Sequence, residues 1–368
     1  MPDASARYVI PESVHNDWIA RVYRHRGYGD DEAQCAARWC GLASRHGIKT
    51  HAGLKALHLE ERFGRARGLC VAKAKVEVLP GPYQAVLRVD ARRKLGQSVA
   101  EWCMNKACEL SDHYGIGAVA VDNAFHYLWG GGYVMEAAKR GYIAYTNCTS
   151  TLAEVVPFGG RHPTIGTNPH SWAFPTIDMV GFPILIDWAT SAVAAGRVQQ
   201  LAREGKPLPP EVAFDAAGNY TTDPAKVAAL VPFGGKTAGH KGYGLGLIDE
   251  LFAAYIGGYL PTLRGGPADS GVKGTSSFFF QVIRPDAVAS ASFATAAARD
   301  ANVKAVLADI LGHGNDGAIL PGQLEARAAE ESARMGGLIF SYAEAEELTR
   351  ASARAGITDA TLDAFRVA

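Results

Sequence analysis

The sequence has 368 residues, a length that suits two or three domains or one large domain with excursions. Its 37 lysines and arginines balance its 37 aspartates and glutamates, so neither nucleic-acid binding nor membrane-surface binding has electrostatic support. Hydrophobic residues make up 48%, enough for a packed core, yet no apolar run approaches the roughly 20 residues that span a bilayer.

The N-terminus and the cysteines bear on the compartment. The first residues, MPDASARYVIPES, contain no basic segment followed by an apolar run, so we expect no signal peptide. The six cysteines form no CxxC pair and stand at positions 35, 40, 70, 103, 108 and 148. Scattered cysteines in helical segments are typically buried free thiols. The sequence therefore predicts a reducing compartment, the cytoplasm.

The N-terminal third begins with helices. Apolar residues at helical spacing predict helices over 11–26 and 30–45. Thr50 is the predicted N-cap of a third helix that ends near residue 63. Residues 75–90 alternate around a Pro-Gly turn, which predicts a β-hairpin.

The chain then passes into its central strands. We predict a helix over 97–114, a buried strand over 116–121 and, after a glycine cluster, a helix over 133–140. Residues 141–191 read as short strands separated by PFGG and GTNP turns. Glycine permits left-handed backbone and close approach to a ligand. These turns indicate either tight hairpins alone or a backbone surface shaped to hold a nucleotide.

The C-terminal half returns to helices. The predicted elements are helices over 189–203, 244–256, 287–311, 323–334 and 343–354, a glycine-rich loop over 263–275 and a strand over 276–283. Helices gather at both ends of the chain and strands in the middle. This distribution predicts a mixed α/β fold rather than a strictly alternating doubly wound sheet.

The usual nucleotide-binding fingerprints are missing. No GxGxxG follows a strand and opens a helix, and Gly235-Lys236-Thr237 lacks the first Walker glycine because Leu230 stands there. A dinucleotide would therefore need something other than a Rossmann turn.

His51 and Lys55 lie four residues apart at a predicted helix N-terminus. Such a terminus attracts anions, and an imidazole beside it can exchange a proton with a substrate oxygen. A capping or packing role for His51 and a solvated Lys55 are the alternative. His51, His58 and Glu61 raise a further alternative, a metal-dependent lyase or hydrolase, although no HExxH motif supports it.

Four later segments could also carry function. His126 follows a strand and precedes three glycines, where it could be an active-site or a surface residue. Asp187 ends a buried strand and could bind a ribose or cap a helix. His240 and Lys241 open a helix where phosphates could meet backbone N–H groups. The Leu320-Pro321-Gly322 loop could be a simple turn.

Together these stretches resemble the malate/L-lactate dehydrogenase family of NAD(P)-dependent oxidoreductases, which lacks the Rossmann fold. The family includes malate, sulfolactate and ureidoglycolate dehydrogenases, diketogulonate reductase and piperideine-/pyrroline-2-carboxylate reductases. The likeness covers nearly the whole chain and rests on THAGLK, NAFHYLWGGGY, VPFGGRHPTIGTNP, PILIDWATS, GHKGYGL and ILPGQLE.

The resemblance implies a role for each matched residue. His51 falls on the family's proton-donating histidine, His126 on its second active-site histidine, and Thr50 on a serine. Lys55 falls where the family usually has a substrate-binding arginine. The implied cofactor-binding residues are Gly166, Thr167, Asn168, Pro183, Ile184, Leu185, Ile186, Asp187, Trp188, Ala189, His240, Lys241, Leu320, Pro321 and Gly322. No metal is implied.

The implied fold is a non-Rossmann NAD(P)-binding domain with a mixed, largely antiparallel sheet, plus a helix-rich domain built from both chain ends. The expected boundaries are residues 126–299 for the first and 1–125 with 300–368 for the second. The resemblance also implies a homodimer with the site near its interface, and NAD or NADP as cofactor.

The implied reaction is interconversion of a 2-hydroxy acid and a 2-oxo acid by hydride transfer, with His51 as general acid and base. Two departures from the family pattern matter. Lys55 lacks the planar fork that arginine offers a carboxylate. The YLWGGG run is bulkier than its family counterpart, which shifts weight from malate towards a bulkier 2-oxo acid or a cyclic imino acid. Reduction of a cyclic imino acid is therefore the alternative reaction, and a ligand-binding or scaffold protein is the non-enzymatic one.

Overall fold

The computed structural model describes residues 7–150, 152–257 and 275–367. The strands in this part of the chain are β1 Arg7–Ile10, β2 Glu77–Leu79, β3 Val86–Asp90, β4 Ile116–Ala124, β5 Ile143–Cys148, β6 His170–Phe174, β7 Ile184–Trp188, β8 Ala213–Phe214, β9 Ala229–Leu230, β10 Ser276–Ile283, β11 Leu338–Ser341 and β12 Arg366–Val367.

The α-helices in the same ranges alternate with these strands only in part. They are α1 Glu12–His25, α2 Asp30–Arg45, α3 Gly53–Phe63, α4 Gly96–Tyr114, α5 Gly130–Lys139, α6 Ile177–Val180, α7 Ala195–Arg203, α8 Gly235–Ile256, α9 Ala296–Ile310, α10 Gln323–Met335 and α11 Tyr342–Arg354.

A seven-stranded sheet in the order β2-β3-β4-β10-β5-β6-β7 forms the centre of the molecule. One neighbouring pair, β3 with β4, is parallel, and the other pairs are antiparallel. The mixed, largely antiparallel sheet is therefore confirmed, as is the hairpin formed by β2 and β3. The aromatic run of β10 suits its central position, because Phe278 and Phe280 are buried.

Two helices cover one face of this sheet. Helix α4 packs on β4 and β10, and α5 packs on β5 and β6. Three of the α4 residues in the shared core, Val99, Cys103 and Ala107, are fully buried and small. Their spacing of four residues places them on one face of the helix, so α4 can lie close to the strands.

The two ends of the chain pack together. In a three-stranded sheet, β1 pairs antiparallel with both β11 and β12. Beneath it, Trp18 and Ile19 of α1 share a core with Leu338, Phe340 and Leu348. This association agrees with a helix-rich unit built from both termini. The boundaries at residues 125 and 300 stay a prediction, and β2 to β4 share their sheet with β5 to β7.

Several predicted boundaries are wrong. Helix α3 begins at Gly53 rather than with Thr50 as its cap, and α7 begins at Ala195 instead of residue 189. The intervening segment makes tertiary backbone bonds instead: Thr190 N donates to Thr167 O over 2.9 Å and Ala192 N to Val231 O over 2.7 Å.

Three other predicted helices begin at different residues in the structure. Helices α5 and α8 begin at Gly130 and Gly235, earlier than predicted. The glycines predicted to lie in loops before these helices are therefore part of the helices. The predicted helix over 287–311 is helical from Ala296, after two short 3₁₀ turns. Except for Thr275, the predicted loop over 263–275 lies outside the described residues.

Within the described residues, no helix is both long and apolar enough to cross a bilayer. All six cysteines are free and buried, as expected. Burial raises the pKa of the Cys35 and Cys70 thiols to about 12.

Candidate active site

A cavity of about 290 Å³ lies between α3, the segment after β4 and the end of β7. Its wall contains eight of the predicted site residues: Thr50, His51, Lys55, His126, Thr167, Asp187, Trp188 and Ala189. Hydrophobic side chains supply much of the rest: Ile48, Leu59, Phe63, Leu128, Trp129 and Leu152. The fold thus brings residues from four distant segments of the chain into one concave site.

His51 and His126 lie next to each other in this wall. Their rings are stacked, with centroids 6.2 Å apart and an interplanar angle of 21°. Burial and the charge of Lys55 lower the pKa of His51 to about 4. Burial, together with His51 and Lys55, lowers the pKa of His126 to about 3. Both imidazoles are therefore neutral near pH 7, the form in which a ring nitrogen can accept a proton.

Short-range hydrogen bonds orient both rings. The Thr50 hydroxyl lies 2.9 Å from His51 Nδ1. When Nδ1–H donates to that hydroxyl, Nε2 is free to accept a proton. The Leu128 backbone N–H donates to His126 Nδ1 over 2.8 Å, so the neutral His126 ring carries its proton on Nε2. Leu128 has a left-handed backbone, with φ 71°, which is uncommon for a non-glycine residue.

Glycines allow two helices to approach the histidine segments. A Cβ on Gly96, the first residue of α4, would lie 2.0 Å from the Phe125 carbonyl oxygen and 2.4 Å from that of His126. A Cβ on Gly196 of α7 would lie 3.1 Å from the Thr50 Cβ. Larger residues at these positions would displace the backbone that carries the histidines.

Lys55 and Glu154 supply opposite charges to the wall. Burial lowers the pKa of Lys55, and the Glu154 carboxylate opposes that shift. Burial raises the pKa of Glu154, against the effects of Lys55 and of the Ser150 hydroxyl, which donates to Glu154 Oε2 over 3.4 Å. An anion that binds Lys55 therefore does so beside a competing carboxylate.

Asp187 faces the cavity, held by two donors. Trp129 Nε1 donates to its Oδ2 over 3.1 Å, and the Ser171 hydroxyl donates to its Oδ1 over 2.5 Å. Burial raises its pKa to about 6, against these hydrogen bonds, which favour the ionised form. A Cβ on Gly131 would lie 2.5 Å from Trp129 Nε1, so the glycine leaves room for this pair. The carboxylate is fixed in place and could accept hydrogen bonds from a ribose.

Trp188 lies next to Asp187 in the cavity wall. Its ring stacks on His170 with centroids 5.4 Å apart. His170 is held in turn by the Tyr145 hydroxyl, 2.7 Å from Nδ1, and by Asp249, 3.2 Å from Nε2. Trp188 Nε1 is buried and makes no hydrogen bond with the described residues. The buried indole N–H is therefore closed to a ligand in the cavity.

The remaining predicted cofactor residues lie around the cavity or away from it. Gly166 N and Asn168 Nδ2 donate to Glu250 of α8, over 3.2 and 2.8 Å, so both anchor the Thr167 segment. The loop Leu320, Pro321 and Gly322 lies against Pro183 and the first residues of β7, Ile184, Leu185 and Ile186, with Leu185 N donating to Pro321 O over 3.2 Å. His240 and Lys241 are exposed on α8 and do not line the cavity.

The alternative metal site does not assemble. His58 Nε2 lies 3.2 Å from Glu347, and Glu61 pairs with Arg354 over 3.3 Å. The described part of the chain contains no group of three or more His, Cys, Asp or Glu residues that could hold a metal ion.

Sequence reasoning missed several residues of the wall. Ser150, Glu154 and Glu325 line the cavity, and the hydrogen bond from Trp129 to Asp187 was not predicted. Glu154 carried a usable signal, because it is an isolated acid in the apolar stretch LAEVV. Glu325 carried none, because acids at the first turn of a helix are common.

Comparisons with known proteins converge on one family. A family model described as malate/L-lactate dehydrogenase matches residues 10–349. Malate dehydrogenase from Pyrococcus horikoshii is 33% identical over 289 residues, which cover 74% of this chain and 76% of that protein. Delta(1)-pyrroline-2-carboxylate reductase 2 from Burkholderia multivorans is 31% identical over 259 residues, which cover 69% of this chain and 73% of that protein. The crystal structure of delta1-piperideine-2-carboxylate reductase from Pseudomonas syringae superimposes with a TM-score of 0.76 at 28% identity, covering 93% of this chain and 99% of that one.

Proposed function

The chain belongs to the malate/L-lactate dehydrogenase family, and from this premise we propose that it is an NAD(P)-dependent oxidoreductase that interconverts a 2-hydroxy acid and a 2-oxo acid. The observation that carries the proposal is the pair of neutral, stacked imidazoles, His51 and His126, in one cavity with the Lys55 ammonium. A base, a second polar ring and a cation are the groups that such a reaction asks of a protein.

The cavity fits a nicotinamide nucleotide on its β7 side. Asp187, Trp188 and Ala189 line the wall there. The Asp187 carboxylate, fixed by Trp129 and Ser171, is suited to a ribose hydroxyl. When bound, the nucleotide would supply or take up the hydride.

The chain's own residues would handle the proton and the substrate charge. In oxidation, His51 would accept the hydroxyl proton at Nε2 while Thr50 holds its Nδ1. In reduction, the same nitrogen would return the proton to the oxygen. Lys55 would hold the carboxylate, and His126 would donate its Nε2–H to the substrate. The hydrophobic wall would exclude water and strengthen these interactions.

A second candidate reaction is reduction of a cyclic imino acid. It is favoured by the aromatic and aliphatic wall formed by Phe63, Leu128 and Trp129, which suits a ring. The similarity to proteins named pyrroline- and piperideine-2-carboxylate reductases also supports this reaction. In this reaction a proton-donating histidine would matter less, because an iminium acceptor is already protonated.

We also propose a homodimer in the cytoplasm. The exposed side of α8 carries Ile248, Leu251, Phe252 and Tyr255, and Tyr255 is 91% exposed. Such a contiguous apolar face is typical of a subunit interface. Sedimentation analysis would test the dimer, because a monomer at micromolar concentration would contradict it.

The test of the reaction is a panel of 2-oxo acids and cyclic imino acids, each with NADH and NADPH. Oxidation of the nicotinamide, followed by its absorbance, is expected with at least one 2-oxo acid. Turnover of cyclic imino acids alone would favour the second candidate. Failure with every pair would refute both.

A further inference from the structure

Glu154 is one of two charged cavity residues, with Glu325, that the proposed reaction leaves unused. Its backbone is held on both sides: the N–H donates to Ile165 O over 2.9 Å, and the carbonyl accepts from Leu230 N over 2.8 Å. The next residue, Val155, is 1% exposed and points into a core. Because side chains alternate along extended backbone, Glu154 takes the opposite side, in the cavity wall. Its carboxylate is therefore built into the site.

The charges of the wall are unequal. Apart from histidines and Cys148, the ionisable residues described there are Lys55, Glu154, Asp187 and Glu325. The wall thus has one cationic group and three acidic ones. Arg62 and Arg203 act electrostatically on Lys55, and Arg62 also acts on Glu154, but neither arginine lines the cavity.

This imbalance bears on the far end of the substrate. One ammonium can hold one carboxylate, and the reacting end of a 2-hydroxy or 2-oxo acid already carries one. A second carboxylate would enter a cavity whose described wall offers it no further cation and includes the Glu154 carboxylate, which is unfavourable. An amide, hydroxyl or ammonium group at that end could instead donate a hydrogen bond to the Glu154 carboxylate.

We propose that Glu154 is a specificity-determining residue, which admits monocarboxylates whose far end donates a hydrogen bond and excludes dicarboxylates such as malate. This inference rests on the proposed function for the placement of the reacting end at Lys55 and His51.

The test uses binding rather than turnover. Titration calorimetry would compare malate with 2-hydroxysuccinamate, its amide counterpart of nearly equal size, with and without reduced nicotinamide nucleotide, near pH 8 so that carboxylates are ionised. The wild-type protein is expected to bind the amide at least about 10-fold more tightly. Glu154→Gln, and Glu154→Ala as a second neutral variant, should reduce this preference by roughly 10- to 100-fold, the effect of removing one nearby charge.

Two controls keep the charge or remove it elsewhere. Glu154→Asp should retain the preference for the amide. Glu109→Gln removes an exposed acid of α4, paired with Lys106 and outside the cavity, and should also retain it. Circular dichroism would verify that each variant is folded.

Three results would overturn the inference: equal or tighter binding of malate by the wild type, an unchanged preference in both neutral variants, or no binding of either acid. The proposed function would be refuted by a different result, namely that no 2-oxo acid or cyclic imino acid supports oxidation of the nicotinamide.

Discussion

Replacement of His51 by alanine removes the proposed proton acceptor. Its pKa of about 4 means that the wild-type ring is almost wholly neutral at pH 7, so it is ready to take a proton from a hydroxy acid. A positioned general base contributes on the order of 10²–10⁴ in rate, or about 3–5 kcal/mol. We therefore expect kcat for 2-hydroxy acid oxidation to fall by roughly that factor, with nucleotide affinity nearly unchanged.

The pH dependence of the oxidation rate is a second measurement, and a mere loss of packing at His51 would not change it. Wild-type oxidation should be independent of the His51 proton well above pH 4 and should fall as pH approaches that value. In His51→Ala, hydroxide must replace the base, so the residual rate should rise with pH. His113→Ala, at an exposed position of α4, is the matched control and should behave as the wild type. Turnover of His51→Ala within a few-fold of the wild type would refute the assignment.

The other predictions concern the charges of the cavity. Lys55→Met should raise KM for the acid about 10- to 100-fold, as expected for loss of a charged hydrogen bond, while Lys55→Arg should stay within a few-fold; equal KM values would contradict the role of Lys55. The folded-state pKa values of about 4 for His51 and about 3 for His126 lie below the usual 6.5, so the folded protein binds fewer protons than the unfolded chain between these values. Denaturant unfolding should therefore show stability falling as pH drops from about 6.5 towards 4, by up to about 3 kcal/mol for His51, although protonation of Asp187, with a pKa of about 6, offsets part of the loss. A double replacement of the histidines by asparagine should flatten this slope, and an unchanged slope would count against the lowered pKa values. Trp129→Phe removes one donor to Asp187, so the pKa of that carboxyl should rise further. The pH midpoint of nicotinamide-nucleotide affinity should then move upwards from about 6. An unchanged midpoint would mean that Asp187 takes no part in nucleotide binding.

Local patterns predicted most of the long elements. The helices at α1, α2 and α4 and the strand β10 follow from apolar spacing and aromatic content, and the structure has them within a few residues. The short strands β1, β11 and β12 carry little local signal, because each depends on partners from the other end of the chain. The boundary at α7 failed for the same reason, since Thr190 and Ala192 bond to distant backbone.

Some parts of the site could likewise be predicted from the sequence and others could not. The family resemblance pointed to His51, His126 and Asp187, which the fold places around one cavity. It gave no hint of the stacking of the two histidines or of the contact between Trp129 and Asp187, because both depend on packing between distant segments. Glu154 stands out as a single acid among apolar residues, but its role depends on neighbours that only the fold supplies.

The most direct measurement is a crystal structure of the protein with a nicotinamide nucleotide and a hydroxy acid bound together. We expect the substrate hydroxyl at about 2.6–3.2 Å from His51 Nε2, with the nicotinamide beside the Asp187–Ala189 segment. A nucleotide bound away from this cavity, or a substrate oxygen beyond reach of the imidazole, would contradict the account.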